Sequence, residues 1–215
     1  MTRFVDLSHV IEDGMATYKG LPGPHICDFW EREASAAFYE DGETFQIGRI
    51  DMVANTGTYL DAPFHRYADG ADLAALELEA VAGLPGVVVR CGEQAVDTGA
   101  FEGLDVDGKA VLVETGWDRH WRTDAYYENH PYLTEAAARL LVERGAKLVG
   151  IDSHNIDDTR VPRRPVHTVL LGAGVLICEH MMGLGALPES GFRFTAVPPK
   201  VAGMGTFPVR AFAEV

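Results

Sequence analysis

Residues 54–67, Ala-Asn-Thr-Gly-Thr-Tyr-Leu-Asp-Ala-Pro-Phe-His-Arg-Tyr, restrict the fold of this chain more than any other stretch. A Gly between two threonines, followed within eight residues by Asp61, Pro63 and His65, is poor material for a regular helix or strand. Gly adds backbone freedom and Pro removes a donor. The segment predicts a tight loop that presents Asp61 and His65 from a stiff backbone.

Around it the pattern alternates. Residues 45–53 approximately alternate apolar and polar and predict a strand entering the loop. Residues 73–81 predict a short helix. Residues 86–90 (GVVVR) and 110–114 (AVLVE) read as buried strands. A helix is expected from an N-cap at Thr134 through Arg144, ended by Gly145 in left-handed conformation. Residues 147–151 then form a strand with Asp152 at its carboxyl end. A short helix over 167–171, a strand over 175–178, and final strands over 192–197 and 209–212 complete the reading. Without repeat, low-complexity tract or linker, the 215 residues are expected to form one domain, 1–215, of α/β class with a mixed sheet. No Gly-rich phosphate loop follows any strand, which argues against a nucleotide-binding fold.

Charge narrows the partners. A formal charge of −14 disfavours nucleic acid and anionic membrane surfaces, which call for basic footprints. No apolar run approaches the roughly 20 residues that span a bilayer. The start lacks the apolar core of a signal peptide, and Cys27, Cys91 and Cys178 show no pairing or metal spacing. A cytoplasmic protein is expected, and the charge decides nothing about a small substrate.

The polar candidates leave alternatives open. Asp61 and His65 could share a metal, act as a base with its orienting group, or be a loop Asp with a surface His. His167 and Glu179 could converge on one ion, or serve as a capping His and a salt-bridged Glu. Asp152 ends a strand where α/β sheets place reactive groups, and could equally cap the following turn through Ser153 and Asn155. His154 reads as a solvated loop imidazole and His9 as structural. Phe29, Trp30, Phe38, Phe64 and Trp117 could wall an apolar pocket or belong to the core.

Residues 55–65 resemble the signature His-x-Gly-Thr-His-x-Asp-x-Pro-x-His of the cyclase/kynurenine-formamidase-like metal-dependent hydrolases, with Asn55 and Tyr59 in place of two histidines. Further blocks are similar in order along the chain. They are Val5-Asp6-Leu7-Ser8-His9, Leu148-Val-Gly-Ile-Asp152-Ser153, Pro165-Val-His167 with Glu179, and Pro208-Val209-Arg210-Ala211. The resemblance implies a swivelling β/β/α mixed-sheet domain in a homodimer or homotetramer. It also implies two metal positions sharing Asp61, one with the two loop histidines and one with His167 and Glu179, while His65 transfers protons.

An amide oxygen is a weak ligand, and a phenol with pKa about 10 rarely loses its proton unaided. Two outcomes follow for the cofactor: one divalent ion, Zn²⁺ or Mn²⁺, on Asp61, His167 and Glu179, or no metal at all. The expected activity is hydrolysis of a non-peptide C–N bond of formamide, amide or lactam type. Asp61 and His65 are the catalytic residues in that reading, and Asn55, Tyr59 and Phe64 contact substrate. The alternatives are metal-free cyclisation, dehydration or isomerisation by His65 and a carboxylate, or a non-catalytic binding protein.

Overall fold

Nine strands join in one sheet that gathers both ends of the chain, and its register places the polar residues. The computed structural model describes residues 2–215. The strands are β1 (Phe4–Asp6), β2 (His25–Trp30), β3 (Ile47–Asp51), β4 (Tyr59–Asp61), β5 (Leu84–Arg90), β6 (Ala95–Val96) and β7 (Ala110–Glu114). They continue with β8 (Tyr132–Leu133), β9 (Leu148–Ile151), β10 (Leu176–Glu179), β11 (Ser190–Thr195), β12 (Thr206–Pro208) and β13 (Phe212–Glu214). The helices are α1 (Arg32–Ser35), α2 (Glu135–Glu143) and α3 (Pro165–Gly172). The large sheet runs β1-β13-β11-β5-β7-β9-β10-β4-β12. Its central strands β5, β7, β9 and β10 are parallel, and those outside them pair antiparallel. The mixed α/β class expected from the sequence is the class observed.

Strand alternation sorts the apolar side chains into two cores. Val87, Val89, Val111, Val113, Val149, Ile151 and Ile177 pack with Ala137, Leu141 and Leu170 of α2 and α3. Val88, Ala110, Leu112, Leu148, Leu176 and Cys178 face the other way, against Leu7, Leu60, Leu184 and Phe194. The hydroxyl of Thr134 caps α2 by accepting from the Ala137 N–H at 3.1 Å, and Gly145 follows the helix at φ 82°, both as the sequence predicts.

Other expectations are corrected. Residues 73–81 form only one 3₁₀ turn, Leu78–Ala80, because the start of the segment is tied into a separate turn on Asp72, whose carbonyl and side chain both accept from the Ala75 N–H. The Leu73 N–H donates to the Met204 carbonyl and Asp72 accepts from the Gly203 N–H. The last strands lie on either side of residues 209–211, which connect them while the Val209 N–H donates to the Thr58 carbonyl. The middle of the predicted loop is a strand: Tyr59–Asp61 is wholly buried between β10 and β12.

The other expected strand, 45–53, is β3, and it leaves the body of the molecule. It pairs with β2 in a two-stranded arm and every one of its residues is exposed. Phe29, Phe38, Phe45 and Ile50 are each more than half exposed on this arm and the connection between its strands.

Candidate active site

The site is built on rows of the sheet. Tyr59 and Asp61 alternate with the core residue Leu60, so both point toward the α3 side. Glu179 of β10 lies directly across from Tyr59, and Thr206 of β12 directly across from Asp61. Paired residues of an antiparallel ladder share a face. The Tyr59 hydroxyl therefore reaches Glu179 Oε2 at 2.5 Å, and the Thr206 hydroxyl donates to Asp61 Oδ1. Helix α3 lays His167 over this row, with Nε2 3.6 Å from Asp61 Oδ2 and 3.7 Å from Glu179 Oε1.

The preceding loop is stiff for identifiable reasons. Gly57 has φ 65°, a value that disfavours any side chain, and its N–H donates to the Thr17 hydroxyl at 2.9 Å. Thr56 donates to the Val53 carbonyl and Thr58 to the His180 carbonyl. The Gly between two threonines is thus a turn tied down on both flanks.

Asp157, unread in the sequence, completes the centre. It is fully buried and its Oδ2 stands 2.6 Å from His167 Nδ1. It also accepts from the N–H groups of Val166 and His167 at the start of α3. A carboxylate on one ring nitrogen fixes the tautomer and aims the other nitrogen, the arrangement found behind metal-ligating histidines. The available signal was a His in need of an orienting acid, with two aspartates at 157 and 158 ahead of it. Tyr18 and Asn155 are further members: the Asn155 amide donates to the Tyr18 hydroxyl, and the Ile156 N–H donates to Glu179 Oε1 at 2.7 Å.

The electrostatics demand a positive charge. Asp61, Asp157 and Glu179 are essentially inaccessible, and an unpaired ionised carboxylate in such surroundings is very costly. Burial raises the Glu179 carboxyl above its usual range, with neighbouring Asp61 adding to the rise and His167 opposing it. Burial alone would lower His167, but Glu179, Asp157 and Asp61 outweigh it and raise that imidazole. Asp61 Oδ2 is buried without any hydrogen-bond partner.

His65 sits at the rim, its side chain 35% exposed, with Nδ1 2.8 Å from the Thr206 hydroxyl. That hydroxyl has one proton, which goes to Asp61 Oδ1. His65 Nδ1 is then the donor, and its Nε2 carries the free lone pair. Donor atoms of Asp61, His65 and His167 all lie within 4.8 Å of one another. Glu179, expected beside Asp61 and His167, approaches the same His167 nitrogen but is not part of that closest trio.

A cavity of about 280 Å³ opens over these groups. Tyr59, His65, His167 and Glu179 line it together with Tyr18, Asn55 and Asn155, and its opening is lined by the exposed Leu21 and Arg66 and the half-buried Arg164. The expected aromatic wall is absent from the lining. Phe64 takes another direction because Pro63–His65 is a 3₁₀ turn, in which successive side chains diverge by about 120°. Phe29 and Phe38 stand on the exposed arm, and the Trp117 indole donates to the Tyr126 carbonyl instead.

Two further residues depart from expectation. Asp152 does not cap its own turn but accepts from Thr115 N–H, Thr115 hydroxyl and Gly116 N–H, because β9 runs beside β7. Burial still pushes it up to about 6. His154 is 5% exposed, not solvated, and packs 4.6 Å from Tyr18 and 5.2 Å from Tyr127.

The model of the family described as "Putative cyclase" matches residues 5–158. The chain belongs to this cyclase family. A kynurenine formamidase of Bacillus cereus is 24% identical over 211 residues, covering 98% of this chain and 96% of the relative. Isatin hydrolase A from Labrenzia aggregata superposes with a TM-score of 0.82 at 24% identity, over 100% of this chain and 94% of that one. A protein described as a potential metal-dependent hydrolase with cyclase activity gives 0.81 at 26% identity, over 100% and 98%. These solved structures share the fold described above.

Proposed function

We propose that this chain hydrolyses a non-peptide C–N bond of aryl formamide, amide or lactam type, using one divalent ion. Asp61, His167 and Glu179 would hold the ion, and His65 would transfer the proton. The observation that carries the reading is the gap around His167 Nε2. Its distances of 3.6 and 3.7 Å to two carboxylate oxygens exceed the roughly 2.7–2.9 Å of a charge-assisted hydrogen bond. They lie near the spacing of about 3.4 Å between ligand atoms that follows from tetrahedral bonds of about 2.1 Å. The unpartnered Asp61 Oδ2 and the Asp157-oriented imidazole fit the same reading. Zn²⁺ and Mn²⁺ both suit one His with carboxylates. The names of the relatives, kynurenine formamidase and isatin hydrolase, supply the bond class.

When bound, such an ion lowers the pKa of water toward about 7 and polarises a carbonyl. His65 Nε2 removes the proton from the attacking water and returns it to the leaving nitrogen, while Thr206 holds the ring through Nδ1. Asp61 links the two functions, since it faces His167 through Oδ2 and the Thr206 hydroxyl through Oδ1. Tyr59 keeps Glu179 in place, and Asn55, which lines the same cavity, presents an amide to the substrate.

Elemental analysis of protein purified without added metal or chelator, with formanilide hydrolysis measured before and after chelation, tests this. About one ion per chain and activity lost with it are expected; full activity without metal rejects it. One observation favours a second, metal-free reading: the carboxylates that raise His167 would keep it an imidazolium. A proton would then fill the gap, and His65 with a carboxylate would carry out cyclisation, dehydration or isomerisation.

The apolar arm supports assembly as a homodimer or homotetramer. Phe29 is 73%, Phe38 70% and Ile50 55% exposed, and a second copy would cover them. Sedimentation of a single 23.4 kDa species would sink this part of the proposal.

A further inference from the structure

The floor of the cavity is acidic, but its mouth is not. Acidic residues outnumber Lys and Arg by 32 to 18, and Arg90, Arg139, Arg160 and Arg210 each pair with a carboxylate. Arg66 and Arg164 line the cavity and make no ion pair among the described residues. Their anchors are neutral oxygens. Arg66 Nε donates to the Thr168 hydroxyl at 3.2 Å, and Arg164 Nη1 donates to the carbonyls of Val161 and Arg163, both at 2.8 Å. The Thr168 hydroxyl in turn donates to the Arg164 carbonyl at 2.7 Å, tying the two arginines to one support. Neutral anchors hold a guanidinium in place without compensating its charge. The recorded bonds engage only Nε of Arg66 and Nη1 of Arg164, so both retain donors for a planar, bidentate anion.

Position limits what that anion is attached to. Arg66 directly follows His65, and Arg164 precedes α3, which carries His167. Both charges therefore lie a short substrate length from the reacting centre. The volume of about 280 Å³ falls below the roughly 300–1,000 Å³ of pockets for drug-sized ligands. We infer that the substrate is a small amide or formamide carrying its own carboxylate, held at the mouth by Arg66 and Arg164. This inference rests on the hydrolase reading. Arg66 and Arg164 are binding residues in it and take no part in bond cleavage.

N-formylanthranilate and formanilide differ by one carboxylate and make the test. The expected result is a kcat/KM preference of at least about 100-fold for the carboxylated substrate. Arg66→Gln and Arg164→Gln should each shrink that preference by about 10- to 100-fold, the range of a charge-assisted hydrogen bond, chiefly through KM. Arg66→Lys should restore part of it. Equal turnover of both substrates, or a preference that both substitutions leave intact, overturns the inference while the hydrolase reading stands. Calorimetry with benzoate and benzamide reads the anion site without turnover. Benzoate should bind better, lose affinity in both Gln variants and weaken with added salt. Benzoate binding of this kind without hydrolysis of either formamide would retain the anion site and reject the hydrolase; benzoate binding no better than benzamide would reject the anion site.

Discussion

Adjacent residues at the end of β10 enter opposite surroundings, and their histidine neighbours share the split. Glu179 turns to the side where His167 stands among three carboxylates. His180, at φ 53°, turns into a packed group of Tyr126, Trp121, His154 and Tyr18. On the first side the imidazole is raised by acids. On the second, burial lowers His9 to about 4, His154 to about 3 and His180 well below its usual value. His9 stacks flat on Trp121 at 4.0 Å, and His180 Nδ1 meets the Tyr126 hydroxyl at 2.9 Å. The lesson is that a buried histidine is chemically defined by its neighbours. With carboxylates it seeks a cation or a proton; among aromatic rings it behaves as a neutral packing group.

The sharpest break between the two regions should come from paired substitutions. His65→Ala should reduce kcat by about 10²- to 10⁴-fold, the usual contribution of a general base, with metal content retained. His154→Phe should leave metal content intact and move kcat far less, since its ring is not part of the cavity lining and packs mainly with Tyr126 and Tyr127, touching the lining only through Tyr18. Equal losses in both would erase the distinction. Metal addition comes next. A divalent ion at about 1,000 times its Kd should stabilise the metal-free protein by about 4 kcal/mol, a rise of roughly 8–16 °C in Tm. The shift should vanish in Asp61→Asn and persist in His154→Phe.

Much of this division was legible in the sequence, and the rest depended on contacts between distant segments. Thr134 and Gly145 announced α2 because a cap and a left-handed stop are local chemistry. Asp61, His65, His167 and Glu179 could be picked out because the resemblance places them in one ligand and proton-transfer set; their own spacing left a loop Asp, a surface His, a capping His and a salt-bridged Glu equally open. The strand Tyr59–Asp61 was hidden, since its extended form comes from pairing with β10 and β12. Residues 73–81 misled for the mirror-image reason: a helical composition yielded to the Leu73 N–H bond to the Met204 carbonyl and to the Asp72 carboxylate that accepts from the Gly203 N–H. His154 read as solvated because nothing near it in sequence shows that Tyr18, Tyr126 and His130 close over it.

A smaller effect tests whether Asp157 belongs to the charged region only through His167. Asp157→Asn keeps the shape of the side chain and its acceptor for one N–H of α3, but removes the charge facing His167 Nδ1 at 2.6 Å. Metal affinity should fall by about 10- to 100-fold, as for other partners behind a ligating histidine. Melting temperatures compared in the absence of metal would show whether the loss is only structural. A large fall in stability with unchanged affinity would make Asp157 a helix cap and nothing more.

The smallest expected effect lies on the neutral side and follows from linkage. His9 and His154 have folded pKa values below the ordinary value of about 6.5, so below that pH the unfolded chain binds protons that the folded chain does not. Their stabilisation is present above about pH 6.5 and is lost as pH falls toward 4 and then 3. Asp152, raised to about 6, and Glu179, also raised by burial, act oppositely: they stabilise the fold as pH falls from about 6 to below 4, which softens the slope. The metal-free protein should still lose a few degrees of Tm between pH 6.5 and 4.5, because burial also lowers His130 and His180. His154→Phe should flatten that profile. An unchanged slope in His154→Phe would mean that the aromatic cluster opens to solvent on acidification, and that its histidines are not the dry packing groups the comparison makes them.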